Sequence, residues 1–353
     1  MEGKPVQTLV SIVTVYYNRG DLVADSIGSL LSQTHRDIEI IAVDDGSTDE
    51  TYDRLRAFDD ERLTVIRHQN QGFVGSIRKG IEMARGDIIA IHGSGDISHP
   101  DRIARQLAVL AERPDVGVVG CYVENRNLLR NYSTVHMPKV GPDAGRQLAE
   151  ANFLMHGEVM FRKQVYDAVG GYRPFFRLAQ DRDLWLRMSE RTGFHIVPEI
   201  LYTRFVRLDG VGGGRPDRRA AQVLLSNLAV HCYEARCRNE PDPVDAGRFE
   251  ALMSILLNRE SSRILALCAT ELAIAGRSDE ADALFRRSLA SRFLTVPLAL
   301  FGLFKVTRLA GSRLQGRFLR YLVTRWYEAK DRRERRRARQ ATESGQVALP
   351  AGE

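Results

Sequence analysis

A chain of 353 residues, 44% apolar and 27% charged, is long enough for one large domain with a smaller one beside it, and has the balance of an ordinary soluble globular protein. Its net charge of +6 is concentrated at one end, where residues 330–339 carry seven basic and two acidic side chains; this argues against a body built to grip nucleic acid. Four scattered cysteines (Cys121, Cys232, Cys237, Cys268) make neither a disulfide framework nor a zinc motif, and Cys232 and Cys237 read as small core residues of a cytoplasmic protein.

Residues 9–15 form the first apolar run, and it reads as a strand, since no charged leader region or small-residue cleavage site accompanies it. The polar turn Tyr16-Tyr17-Asn18-Arg19-Gly20 follows, with Asp21 as the expected N-cap of a helix over 22–31. Residues 38–43 are a second buried strand, ending in Asp44-Asp45-Gly46-Ser47-Thr48-Asp49 before a helix over 50–58. A third strand (63–67) leads through a glycine-bearing loop (70–75) to a helix over 76–84. A fourth (88–91) spills into His92-Gly93-Ser94-Gly95-Asp96 before a helix over 101–112, and 116–119 reads as a fifth.

Strands and helices alternating at this spacing predict an α/β, Rossmann-like, mostly parallel sheet with its polar turns on one rim, the default place for a nucleotide. Residues 125–146 read as a surface excursion, and 157–162 and 196–206 as further strands around a helix over 183–191. Beyond the glycine break at 210–214 the chain turns helical, with helices expected over 218–236, 246–258, 263–275 and 280–288. Residues 271–289 resemble half of a tetratricopeptide-type helical hairpin. The expected division is therefore 1–212 as a nucleotide-binding domain, 213–329 as a helical domain or annex, and 330–353 as a basic, disordered tail. The longest uncharged stretch, 293–304, contains Pro297 and falls short of the ~20 residues that span a bilayer. With the basic run after it, 293–339 reads as amphipathic, suited to an anionic surface, or else as a helix face packed on the annex.

Several residues are candidates for chemistry. Asp44 and Asp45 follow a buried strand and can accept hydrogen bonds from a base imide or a ribose; equally, Asp45 or Ser47 can simply cap the next helix. Tyr17 and Asn18 end the first strand on the same side of the sheet, where Tyr17 can stack on a base or the two simply make a polar strand-to-helix turn. Asp181 opens a helix whose apolar face is Leu184, Trp185 and Met188, and a carboxylate there is either a cap or a general base. His156 stands alone before a strand.

Taken together, these stretches resemble the family 2 glycosyltransferases. The resemblance is carried by SIVTVYYNRGDLVADSIGSLLSQTHRDIEIIAVDDGSTDET, by Asn70-Gln71-Gly72, by Ile97-Ser98-His99-Pro100-Asp101-Arg102, by Val159-Met160-Phe161-Arg162 with Gly170-Gly171-Tyr172, and by Asp181-Arg182-Asp183-Leu184-Trp185-Leu186-Arg187 with Tyr202. It implies a GT-A fold and inverting transfer of a sugar from a nucleotide sugar to a glycan or lipid-linked acceptor, in work on the cell envelope or at the cytoplasmic membrane face. By position it makes Asp44 and Asp45, with Tyr17, the nucleoside-binding residues and Asp181 the base, with His156 and Trp185 on the acceptor side. Gln180 stands where the family often has Glu, which removes a neighbouring negative charge that would raise the Asp181 pKa. The family's metal-binding Asp-x-Asp falls on Gly93-Ser94-Gly95, whose two glycines are read as leaving room, and only Asp96 remains. Arg207 aligns where a histidine is common. Either Asp96 still holds Mg²⁺ or Mn²⁺, or the site is metal-free and Arg207, helped by Arg204 or Arg78, neutralises the diphosphate. Two readings from other classes stand beside this: a non-catalytic sugar-nucleotide-binding scaffold, and a nucleotidyltransferase, which lacks its glycine-rich phosphate loop here.

Overall fold

The computed structural model describes residues 8–128, 132–207, 216–247, 259–274, 277–289 and 300–301. The first strands are β1 (Val10–Tyr16), β2 (Ile38–Asp44), β3 (Leu63–Arg67) and β4 (Ile88–Gly93). Every residue of β1 and β2 is buried, as expected of parallel strands covered by helices on both faces. Helix α1 (Val23–Leu31) buries Val23, Ile27 and Leu30, a stripe at helical spacing. Together with Ile12, Ile40, Ala42 and Ala90 they form one apolar core. After α2 (Thr51–Arg56), helix α3 (Phe73–Met83) packs along β1 and β2.

The other strands are β5 (Ile97–Ser98), β6 (Val116–Asn127), β7 (Tyr132–His136), β8 (Met160–Arg162) and β9 (Gly193–Val206). They complete a sheet ordered β3-β2-β1-β4-β8-β6-β9-β5, with β7 beside β6. Pairing is parallel from β3 to β4 and between β6 and β9; β8 is antiparallel to both its neighbours, as are β5 and β7 to theirs. The chain steps outward from β1 to β3 and then returns to β1's other side with β4. That reversal opens a crevice at the carboxyl ends of β1 and β4. Register makes the rim level, since Tyr16 pairs with Asp44, Asp44 with Arg67, and Val15 with Gly93. Pairing of Ser98 with Tyr202 brings β9 alongside the loop after β4.

Three expectations are corrected. Asp21 does not cap a helix: Gly20–Leu22 is a 3₁₀ turn, and α1 begins at Val23 without a side-chain cap. The region 125–146 is structured: β6 continues to Asn127, β7 pairs back on it, and α5 (Ala144–Glu150) follows with Asp143 accepting from the Arg146 N–H. Cys237 is exposed, while Cys121, Cys232 and Cys268 are buried.

The chain divides into two compact units, one running to Arg207 and including Cys232–Glu240, the other made of Leu208–His231 and the residues from Pro241 onward. In the first, α4 (Arg102–Glu112), α6 (Lys163–Ala168) and α7 (Gln180–Ser189) complete the α/β body. In the second, Ala220 and Leu224 of α8 (Pro216–Cys237) pack with Leu265 and Cys268 of α9 (Arg259–Ile274). Ala266, Ala269, Leu272 and Ala273 of α9 meet Ala281 and Phe285 of α10 (Ser278–Leu289), so residues 271–289 take in the end of α9 and the whole of α10. The helix expected over 246–258 lies outside the described residues from 248 on, as does all of 293–339 except 300–301, and so does the 330–353 tail. Among the described residues no helix is long and apolar enough to cross a membrane.

Candidate functional site

At one end of the rim, Asp44 is fully buried; it accepts from the Ser47 N–H (3.3 Å) and lies 3.3 Å from Arg67 Nε. Arg67 also donates to the Ser47 carbonyl (2.9 Å) and sits 4.7 Å over the Tyr52 ring. Asp45 accepts from the Gln71 N–H (2.8 Å), tying the β2 turn to the loop before α3. Neither carboxylate caps α2: its N-cap is Glu50, without a side-chain cap, and the nearby Asp49 accepts from the Thr51 N–H (3.0 Å). Ser47 does not cap it either: its hydroxyl accepts from the Asn18 N–H (3.0 Å). The neighbouring Arg19 and Gly20 N–H groups go to Thr51 Oγ1 (2.7 Å) and Asp49 Oδ2 (3.2 Å). The turn after β1 is therefore stapled to the turn after β2, and its amides are not a phosphate cradle, which counts against the nucleotidyltransferase reading. Tyr17 leaves this turn 48% exposed.

The loop after β4 is held from below. Tyr202 on β9, fully buried, accepts from the Gly93 N–H (2.9 Å) and donates to Asp96 Oδ2 (2.9 Å), while Asp96 Oδ1 accepts from the Phe205 N–H (3.1 Å). Burial raises the Asp96 pKa to about 6, against these hydrogen bonds and the charges of Arg204 and Arg207. Sequence reasoning thus named Asp96 and Arg207 as neighbours, and the fold brings them together. Arg78 is exposed on α3, where its charge acts on Tyr166. The glycines do not leave room: a Cβ on Gly93 would lie 2.4 Å from Asp96 Oδ2, and one on Gly95, at φ +91, 2.5 Å from Leu22 Cδ1.

A divalent cation of the Mg²⁺ or Mn²⁺ kind seeks several oxygen ligands. Here the loop offers one carboxylate with both oxygens already accepting from the protein, so the residues present do not fit such an ion well. Among the described residues no three His, Cys, Asp or Glu side chains gather to hold a metal.

Beneath Tyr202 lies a buried polar layer that the sequence did not disclose. Arg102 is fully buried; it donates to the Ile91 carbonyl (2.7 Å) and the Gly157 carbonyl (3.3 Å), and its guanidinium is 5.1 Å from the Tyr202 ring. Glu158 accepts from the Cys121 N–H (2.9 Å) and the Met155 N–H (3.2 Å), and burial pushes its pKa to about 8. Its folded pKa thus exceeds the unfolded one, and the native state keeps a proton that the unfolded chain releases. Stability from this group is lost as pH rises toward about 8. His92, buried and lowered to about 3, acts in the opposite sense, but only below 6.5. The urea midpoint is expected to fall between pH 6.5 and 8, by on the order of 1–2 kcal/mol in stability, and Glu158→Gln is expected to flatten that slope.

At the other end, Asp181 stands in the first turn of α7 and accepts from Asn152 Nδ2 (3.1 Å). His156 Nε2 is 2.6 Å from the Tyr172 hydroxyl, and its ring meets Phe73 edge-on at 5.3 Å. Burial lowers the His156 pKa, against the opposing charge of Asp181. Trp185 is not on the acceptor side: it is fully buried, 6.2 Å from the His156 ring, and supports it from behind. The residues that fix α7 were missed. Asp183, 1% exposed, is paired with Arg187 (2.7 Å) and Arg173, and Arg187 also donates to the Val169 (2.6 Å) and Gly171 (2.8 Å) carbonyls.

Compared with known proteins, residues 11–178 match the sequence model of glycosyl transferase family 2. The chain is 32% identical over 237 residues to the putative glycosyltransferase EpsE of Bacillus subtilis, covering 65% of this chain and 82% of that protein. The chain belongs to glycosyl transferase family 2. The family match ends three residues before Asp181. A second family relative, the chondroitin synthase of Escherichia coli, is 28% identical over 198 residues, 56% of this chain and 29% of its own length. A solved GT-A glycosyltransferase, the mannosyltransferase PcManGT of Pyrobaculum calidifontis in complex with GDP-Man and Mn²⁺, aligns with a TM-score of 0.50 at 17% identity, over 89% of this chain and 84% of that one. That likeness is one of fold. The family's α/β fold accounts for the nine-stranded sheet, and family membership makes this chain a glycosyltransferase.

Proposed function

We propose that the chain transfers a sugar from a nucleotide diphosphate sugar to a hydroxyl of a glycan or lipid-linked acceptor, with inversion, in polysaccharide biosynthesis. The observation that carries this reading is the pairing of two ends on one unit: the carboxylate rim of Asp44, Asp45 and exposed Tyr17, and the Asp181 carboxylate beside His156. Names among the relatives, such as the chondroitin synthase, support a polysaccharide product. The GDP-Man in PcManGT supports a nucleotide sugar as donor.

In this reading Asp181 takes the acceptor hydroxyl proton while Asn152 holds its other oxygen in place. The acceptor oxygen attacks the anomeric carbon from the face opposite the diphosphate, so one displacement inverts the centre and no enzyme nucleophile is needed. Asp45 anchors the nucleoside, with Tyr17 stacking on the base.

A calorimetric titration of the full chain with UDP, GDP and TDP tests the donor end. One of them is expected to bind, and Asp45→Ala to weaken it by about tenfold or more, the worth of one charge-assisted hydrogen bond. Unchanged affinity in a folded Asp45→Ala protein would remove Asp45 from the nucleoside site. The scaffold reading shares this binding and differs in turnover, so sugar release from the bound donor separates the two.

A further inference from the structure

We propose that Arg204 and Arg207 hold the leaving diphosphate in place of a divalent cation, and that the 93–96 loop is a closed support for these arginines. The inference rests on the nucleotide-sugar reading above and deepens it. Its first ground is the donor set. Asp96, the one carboxylate of the loop, spends Oδ2 on the Tyr202 hydroxyl and Oδ1 on the Phe205 N–H. The Tyr202 hydroxyl, having given its hydrogen to Asp96, accepts from the Gly93 N–H.

The second ground is steric. Carboxylates cannot be put back at Gly93 or Gly95 without displacing Asp96 or Leu22, because a bare Cβ already falls at 2.4 and 2.5 Å from their atoms. The loop is packed around the missing side chains, which sets it apart from a metal site that has merely lost two ligands.

The third ground is where the cations sit. The Asp96–Phe205 hydrogen bond fixes the backbone that carries both arginines. Arg204 Nη1 is 3.7 Å from the Met155 sulfur, so this guanidinium reaches toward the segment that carries His156. Arg207 lies 5.2 Å over the Phe205 ring. Both side chains are partly exposed, and both charges bear on Asp96. A guanidinium offers a planar fork of donors that suits phosphate oxygens. In the transfer the acceptor oxygen–carbon bond forms and the anomeric carbon–phosphate oxygen bond breaks. The proton passes to Asp181, and the electron pair leaves with the diphosphate, where the arginines meet its charge.

The test is calorimetry with whichever of UDP, GDP and TDP binds, and with its parent nucleoside, in excess EDTA and in saturating Mn²⁺. The expected result is a diphosphate Kd that changes less than about twofold between the two conditions. Arg204→Ala and Arg207→Ala are each expected to weaken the diphosphate about tenfold and the nucleoside less than about twofold, with Arg204→Lys falling between. Strengthening by Mn²⁺ of about tenfold or more, lost in Asp96→Asn, would overturn the proposal. So would arginine variants that weaken nucleoside and diphosphate alike, since that marks a structural role. If none of the three diphosphates binds in either condition, the donor reading itself fails, and this inference with it.

Discussion

Asp181→Asn is expected to bind the nucleotide sugar as the wild type does and to transfer sugar ~10²–10⁴-fold more slowly, the usual worth of a positioned general base. The amide has the volume of the carboxylate and can still accept from Asn152 through its oxygen, so α7 and its pocket keep their shape. What it lacks is a site for the acceptor proton. The check is a pair of measurements on one preparation: donor affinity by calorimetry and turnover under saturating donor. A loss of affinity matching the loss of rate would mean that Asp181 binds donor and is not the base. Asn152→Ala should fall between wild type and Asp181→Asn, because it removes only the hydrogen bond that orients the carboxylate.

Asp183→Ala is expected to cost about 3–5 kcal/mol of stability, read as the shift in a denaturant midpoint. The carboxylate is buried against Arg173 and Arg187, and its removal takes away the buried countercharge that both guanidinium groups share. Arg187 retains the Val169 and Gly171 carbonyls, which offset part of the loss. Asp183→Asn keeps acceptor oxygen toward one arginine and should cost less. Because Asp183 and Asp181 share the first turn of α7, the alanine variant is also expected to lower transfer at temperatures where it remains folded. A midpoint within experimental error of wild type would show that α7 is held by its apolar face alone.

The parts of this protein that were legible in its sequence are those whose meaning is local. Runs rich in β-branched residues announced β1, β2 and β4, since strands buried on both faces need no alternation. The turns after them gave Asp44, Asp45 and Tyr17, and the spacing of motifs gave the family. What stayed hidden depends on contacts between distant residues. Gly93 and Gly95 read as open space because glycine is small, yet Tyr202 from β9 and Leu22 from the turn before α1 fill that space. The resemblance put Trp185 on the acceptor side; α7 turns it instead toward Phe161 and His156, wholly inside. Arg102, fully buried, looks in sequence like any charge at a helix start, and only the fold supplies the carbonyls of Ile91 and Gly157 that accept from it. Residues 125–146 were too polar to suggest a strand pair, because a β-hairpin at a sheet's margin is only half buried and keeps a weak pattern.

These same long-range contacts shape the site. The Asp96–Tyr202 bond and the Asp181–Asn152 bond each tie a carboxylate to a residue at least 29 positions away, and they give the two acids different environments. Asp96 is drawn into the protein, with both oxygens engaged and its pKa raised to about 6 by burial. Asp181 stands at the first turn of α7, next to the imidazole of His156. In the proposed inverting displacement the first serves as a support and the second as the base.

The most direct test of this account is the anomeric configuration of the product, followed by proton NMR as the full chain turns over the donor it binds best among UDP-, GDP- and TDP-sugars. A single displacement assisted by Asp181 predicts a product of inverted configuration from the first turnover. A product that retains the donor's configuration would contradict it, because retention requires a second displacement or an enzyme nucleophile, for which this mechanism has no place.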